Sequence, residues 1–296
     1  MNKKSRKLYL SGLSWLALVF LVSCRSSNVA SLRKSAEQGD AKAQVDLGLL
    51  YVNAKGVPQD YAQAATWFRK AAEQGNAAAE YNLGALYITG QGVPQDYEQA
   101  IAWSTKAADQ GNAAAEYNLG MLSYNGQGMP QDFTQAAIWF RKSADQGVAQ
   151  AQYNLGLLND NGWGVPQDHA QAAIWFRKAA DQGDALAQAN LGLLYYSGQG
   201  VPQDNAQAAA WYRKAAEQGL TDAQTNLGLL YSAGEGVPQD YAQAYFWAGL
   251  AVSCQQDTSD STAPDLRNLA MQHLTADQVR QQQDRVAQWF QTHKCM

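Results

Sequence analysis

Three cysteines and three histidines are the residues of this 296-residue chain best suited to covalent or metal chemistry. His169, His273 and His293 stand far apart, and none lies in an H-E-x-x-H arrangement or another spacing that puts two ligands on one helix face. No G-x-S-x-G turn carries a nucleophile, and there is no phosphate loop or dinucleotide fingerprint. A Gly-x-Gly pair recurs, but it reads as a helix stop: at a helix C-terminus the dipole is negative and repels anions. The repeated Asp and Glu fall in separate segments and read as solvated helix caps rather than as a catalytic carboxylate pair. No catalytic residue, metal site or cofactor is therefore expected.

The cysteines are more informative. Cys24 closes an N-terminal segment in which Lys3, Lys4, Arg6 and Lys7 precede a mostly apolar stretch from Leu8 to Val22. That stretch is shorter than the ~20 residues of a spanning helix. The string Leu21-Val22-Ser23-Cys24 resembles the lipobox of bacterial lipoproteins. The resemblance implies removal of residues 1–23, a diacylglyceryl group on the Cys24 thiol, and a lipidated N-terminus with a short tether over 24–30. Two or three acyl chains hold a protein on a membrane where one binds only marginally. Arg25 in place of Asp implies sorting to the outer membrane. The alternatives are an uncleaved anchor or a simple secretory signal. Cleavage before Cys24 removes four of the 22 basic residues, leaving 18 against 26 acidic and a charge of −8. A surface of that sign repels phosphate backbones, so nucleic acid is not an expected partner.

The elements behind these residues emerge when the chain is compared with itself. Pro-Gln-Asp begins at Pro58, Pro94, Pro130, Pro166, Pro202 and Pro238, every 36 residues without an insertion. Leu-Gly recurs at Leu47, Leu83, Leu119, Leu155, Leu191 and Leu227, and a Trp follows each Pro by nine positions, from Trp67 to Trp247. Each unit reads as two helices. The first opens on a capping residue such as Asp40, Asn76, Asn112 or Asp184 and stops at paired glycines such as Gly90 and Gly92. The second starts at an Asp such as Asp96, after a Pro that cannot extend the first helix. Ala79, Leu83 and Leu86 form one stripe of the first helix, and Ala100, Trp103 and Ala107 one of the second. Gly84 and its copies cost about 1 kcal/mol each inside a helix, which implies close approach of a neighbouring helix. Arg69-Lys70 and the copies at 141, 177 and 213 make a basic ridge, expected to neutralise helix C-termini. One helix pair cannot bury its apolar face alone, whereas stacked pairs can.

The run Ala-x-Ala-x-x-x-Leu-Gly-x-Leu-Tyr-x-x-Gly-x-Gly-Val-Pro-Gln-Asp-Tyr, followed by Gln-Ala-x-x-Trp-Phe-Arg-Lys-Ala-Ala-Glu-Gln-Gly, resembles the Sel-1-like repeat, a relative of the tetratricopeptide repeat. The resemblance implies an all-α, right-handed α-solenoid of stacked antiparallel helix pairs that serves as a scaffold for protein–protein contacts. Six repeats are expected over 39–254, a half-repeat cap over 31–38, and a loop with a capping helix pair over 255–296. Some secreted relatives carry a Cys pair inside each unit, and this chain has none there. Cys254 and Cys295 end two helices that run side by side in such a stack, leaving two alternatives: a disulfide or two free thiols.

Comparison of the units separates scaffold from surface. The third, sixth, tenth and thirteenth residues after each leading Gly share one helix face, the face that tetratricopeptide proteins turn to their groove. The sixth column holds Tyr81, Tyr117 and Tyr153; the thirteenth holds Tyr124, Asp160 and Tyr196. These residues are candidate partner contacts, since Tyr offers a large area and little rotamer entropy to lose; filling of the inter-helix seam is the alternative. The fourth unit departs most, with Asp160, an exposed-turn Trp163, and His169 where most copies have Tyr or Phe. Trp163 joins the candidates, with drift of one unit as the alternative. The expected function is a lipid-anchored adaptor on the periplasmic face of the envelope that binds a protein or peptide partner. The alternative is an envelope enzyme acting on β-lactam or peptidoglycan, an activity proposed for secreted relatives, though no nucleophile–base pair stands out.

Overall fold

A computed structural model describes residues 29–254 and 261–295. Cys24, the leader and most of the tether lie outside the described residues. A helix over 29–37 (α1) is followed by α2 (Ala41–Asn53), α3 (Tyr61–Ala72), α4 (Ala77–Thr89), α5 (Tyr97–Asp109) and α6 (Ala113–Asn125). Then come α7 (Phe133–Asp145), α8 (Ala149–Asn161), α9 (His169–Asp181), α10 (Ala185–Ser197) and α11 (Asn205–Glu217). The last are α12 (Thr221–Ala233), α13 (Tyr241–Cys254), α14 (Thr262–Met271) and α15 (Ala276–Trp289). The chain forms two compact units, one up to Gln131 and one from Asp132. In each, successive helices pack as antiparallel pairs, the architecture of an all-α solenoid. No helix among the described residues is long and apolar enough to cross a membrane.

Local chemistry sets the helix bounds. Asp40, Asn76, Asn112 and Asp184 accept backbone N–H bonds in the first turns of α2, α4, α6 and α10. Val148 and Leu220 occupy the same position before α8 and α12 without a side-chain cap. Asp96 and its copies cap the second helices. Gly90 ends α4 in the left-handed region at φ 71°. Gly92 repeats that φ, and a Cβ there would lie 2.2 Å from the Tyr61 carbonyl carbon, so two separate constraints require glycine in this turn. The first repeat has Ala54 at the first of these positions, at φ 53°. Thr275 and Gln278 form a reciprocal capping box at the start of α15.

Packing sharpens two expectations and corrects a third. The helical glycine leaves room mainly for a side chain. A Cβ on Gly156 would stand 2.6 Å from the Phe176 ring, one on Gly48 2.5 Å from Phe68, and one on Gly192 2.8 Å from Tyr212. The lysines of the Arg-Lys ridge stand in the last turns of α3, α7, α9 and α11, and they make a second contact there. Each Lys lies over the Trp ring one turn earlier, Lys70 over Trp67 at 4.3 Å and Lys214 over Trp211 at 3.8 Å, a cation–π contact. The arginines reach the next helix pair: Arg33 donates to the Tyr51 hydroxyl at 2.6 Å and Arg69 to that of Tyr87 at 2.8 Å. Nor are all the acidic residues solvated caps, for Glu80 and Glu116 are buried. They share a column with Gln44, Gln152 and Gln188, in which Gln74 donates to Gln44, Gln110 to Glu80, Gln182 to Gln152 and Gln218 to Gln188, each at 2.8 Å. Burial raises the Glu80 pKa against the pull of Lys106 and the Gln110 hydrogen bond.

Cys254 and Cys295 are joined in a disulfide with Cα atoms 5.4 Å apart. It fixes the end of the chain to α13, whose Phe246, Trp247 and Leu250 pack with Val286, Trp289 and Phe290.

Candidate functional site

Apart from Val45, which is buried, the columns that vary between copies remain accessible beside a buried scaffold. Leu47, Leu83, Leu119, Leu155, Leu191 and Leu227 are all buried. Two residues on, the tenth column (Leu49, Ala85, Met121, Leu157, Leu193, Leu229) is half-buried to exposed. In the unit up to Gln131, Tyr81, Tyr117 and Tyr124 are half-buried. Half-burial fits both readings of these tyrosines, groove contact and seam filling.

In the unit from Asp132, the same face carries exposed apolar surface. Leu193 is 48% exposed, Tyr196 41% and Leu229 41%, and Leu269 of α14 adds a further exposed chain at 45%. Single exposed leucines are ordinary, whereas several on one face mark a contact surface. A cavity of about 230 Å³ lies among Tyr196, Tyr212, Asn226, Leu229 and Glu235. A second, of about 550 Å³, shares Leu229 and Ala233 with it and extends to Thr262, Asp265 and Leu269. Burial and the neighbouring Tyr196 push the Tyr212 phenol up, so its hydroxyl keeps its proton at neutral pH. Leu229 belongs to the tenth column of the face read from the sequence, but its degree of exposure is set by the stacked helices and carries no local signal. Leu269 carried no periodic signal, since α14 lies outside the repeats.

Tyr153 is half-buried and tilts against Phe176, ring centroids 5.9 Å apart. The departures of the fourth repeat form contacts of their own. His169 Nδ1 and an Asp160 carboxylate oxygen are 2.7 Å apart, so Asp160 is not an isolated anion awaiting a ligand. Trp163 stacks on Phe133 at 5.6 Å yet keeps 40% of its surface exposed. The other two histidines stack as well, His273 on Tyr241 and His293 on Trp289. Among the described residues no group of three or more His, Cys, Asp or Glu could hold a metal ion.

The Sel1 repeat pattern matches residues 41–76, 77–112, 113–148, 149–184, 185–220 and 221–254. A protective antigen of uropathogenic Escherichia coli with an SLR fold is similar over 91% of this chain, with 38% identity and a TM-score of 0.82. This chain spans 57% of that structure. A Sel1 repeat protein from Oxalobacter formigenes is similar over 78% of this chain and 100% of its own length, at 30% identity and a TM-score of 0.67. A secretory immunoglobulin A-binding protein of E. coli O6:H1 is 42% identical over 68 residues, which is 23% of this chain but 14% of that protein.

Proposed function

The chain belongs to the Sel1 repeat family, and from that premise we propose that it is a non-catalytic, lipid-tethered adaptor in the bacterial envelope that binds a protein or peptide through the variable face of its repeats. Proteins of this family act in protein–protein interaction. The observation that carries the finer reading is the contrast within single helices: the Leu-Gly column is buried, while Tyr81, Tyr117, Tyr153, Leu193, Tyr196 and Leu229 keep accessible surface. Tyr and exposed Leu on such a face suit an extended or helical peptide, whose own apolar side chains would enter the cavities at Leu229. Asp265 and Glu235 at those cavities favour a segment carrying Lys or Arg. One relative is named for binding an immunoglobulin, which agrees with a protein rather than a small-molecule partner.

The tether rests on Leu21-Val22-Ser23-Cys24, placed ahead of the first described helix, which starts at residue 29. Cys24→Ser is expected to leave the helical content unchanged and to release the protein from membranes. Cell fractionation after a high-salt wash tests this; a variant still held in the membrane pellet would remove the lipid from the account. Turnover of a chromogenic β-lactam by the purified protein would replace the adaptor reading with an enzymatic one.

A further inference from the structure

One seam of the second unit differs from its copies. The regular seam joins a second helix to the first helix of the next repeat through an Arg and a Tyr 18 residues apart. Arg33 meets Tyr51, Arg69 meets Tyr87, Arg177 meets Tyr195 and Arg213 meets Tyr231, the guanidinium donating to the phenol oxygen each time. The ring is part of the packing: Tyr195 and Val201 lie against the cluster that contains Ala173, Phe176, Leu191 and Leu194.

Two copies of this seam are changed, in different ways. At the first, Thr105 replaces the Arg and Ser123 the Tyr, so both polar partners are gone. The Val of that copy has become Met129, whose sulfur accepts from the Ser123 hydroxyl at 3.5 Å. A longer side chain thus accompanies the lost ring. At the second, Asn159 replaces the Tyr, but Arg141 and Val165 are kept. Asn159 is buried and turns back on its own helix, its amide donating to the Leu155 carbonyl at 2.7 Å. Arg141 keeps the contact with the next Trp, lying over the Trp175 ring at 4.8 Å as Arg177 lies over Trp211 at 5.8 Å, and lacks a phenol to donate to at position 159.

A cavity of about 350 Å³ opens there, lined by Thr134, Ala137, Ile138, Arg141, Leu155 and Val165, among others. Those six are the copies, 36 positions earlier, of Ala170, Ala173, Ile174, Arg177, Leu191 and Val201; of these, Arg177 donates to Tyr195, and Ala173 and Leu191 belong to the cluster against which Tyr195 and Val201 pack. The cavity is a tyrosine slot whose own tyrosine has been replaced and whose arginine remains. We propose that it is a binding site for a tyrosine side chain presented by a partner protein. The ring would enter among Ile138, Leu155 and Val165, and the phenol oxygen would accept from Arg141. The occupant follows from the copies, since this chain fills the same slot with a phenol wherever both seam residues are present. Ile138, 45% exposed, forms an open apolar lip through which the side chain enters. The slot shares no residue with the variable face, so it stands or falls separately from the adaptor groove.

The test is a titration of the purified full-length protein with N-acetyl-L-tyrosinamide, followed by NMR shifts at the Arg141 side chain and the Leu155 methyls. Saturable shifts confined to the slot are expected at about millimolar concentration. N-acetyl-L-phenylalaninamide, which lacks the acceptor, should bind about five- to tenfold more weakly, and N-acetyl-L-leucinamide should produce no saturable shift. Asn159→Tyr restores the internal ring and should abolish binding. Val165→Met, which copies the filling residue of the other changed seam, should do the same, so the test does not depend on one variant folding. Absence of saturable shifts in the native protein overturns the proposal. So do shifts that survive in a folded filling variant, or equal binding of the tyrosine and leucine amides.

Discussion

Leu191 and Leu193 lie two residues apart on α10, in columns that are apolar in every repeat, yet the first is wholly buried and the second 48% exposed. The same contrast separates Leu227 from Leu229 on α12. An unvarying apolar column therefore has two physical origins in this chain. One is a core position where any loss of volume leaves a void; the other is a surface kept apolar although water reaches it. Substitutions on the two faces should differ in kind. Those in the buried columns should cost stability, and those on the accessible face should cost binding with little change in stability.

The largest effect on the stability side is expected at the end of the scaffold. Cys254→Ala opens a bridge spanning 41 residues, a loop whose closure is worth about 2–4 kcal/mol. Early melting of α14 and α15 in hydrogen exchange, with the repeats retained, is the expected outcome. Unchanged protection in those helices would show that packing of Trp289 and Phe290 alone secures the cap.

Next in size is Gly156→Val. Its Cβ would enter the Phe176 ring, and overpacking of this kind costs about 1–3 kcal/mol. A fall in Tm of about 5–10 °C is expected. The copy Gly84 meets the Ser104 hydroxyl rather than a ring, so Gly84→Val should cost less. Equal losses at the two positions would refute the ring-accommodation account.

The smallest effect concerns the buried polar column. The folded-state pKa of Glu80 is raised by desolvation from its ordinary 4.5. The folded protein thus binds this proton more readily than the unfolded chain. The associated stability is complete below the unfolded pKa and is lost as pH rises through the folded one. Glu80→Gln, which installs the residue found at Gln44 and Gln152, should raise Tm by about 1–3 °C at neutral pH. The gain should disappear as pH falls toward 4.5. A gain independent of pH would assign the effect to packing instead.

The period, the caps and the turn glycines could be read from the sequence because each is local: Asp96 bonds within its own first turn, and Gly90 answers to the φ of one residue. The rungs could not. Arg69 meets Tyr87 at a separation of 18 residues and Gln74 meets Gln44 at 30, and these distances become contacts only after the helices stack. Without the stack, Arg69-Lys70 reads as charge at a helix end and Glu80 as a solvated acid. The candidate face was visible as variation between copies. Its tenth column was placed on that face too, but the exposure of Leu193 and Leu229 was not legible, since an apolar residue shows how far water reaches it only once the helices are stacked.

The adaptor account is tested most directly by replacing Tyr81, Tyr117 and Tyr153 together with Ala and measuring partner affinity alongside circular dichroism melts. The partner is first identified by crosslinked capture from membranes. Interface tyrosines contribute about 1–2 kcal/mol each, so a micromolar complex should be lost while helical content stays near that of the native protein. A variant that melts early would make these tyrosines seam residues, and one that folds normally and still binds the partner with native affinity would contradict the account.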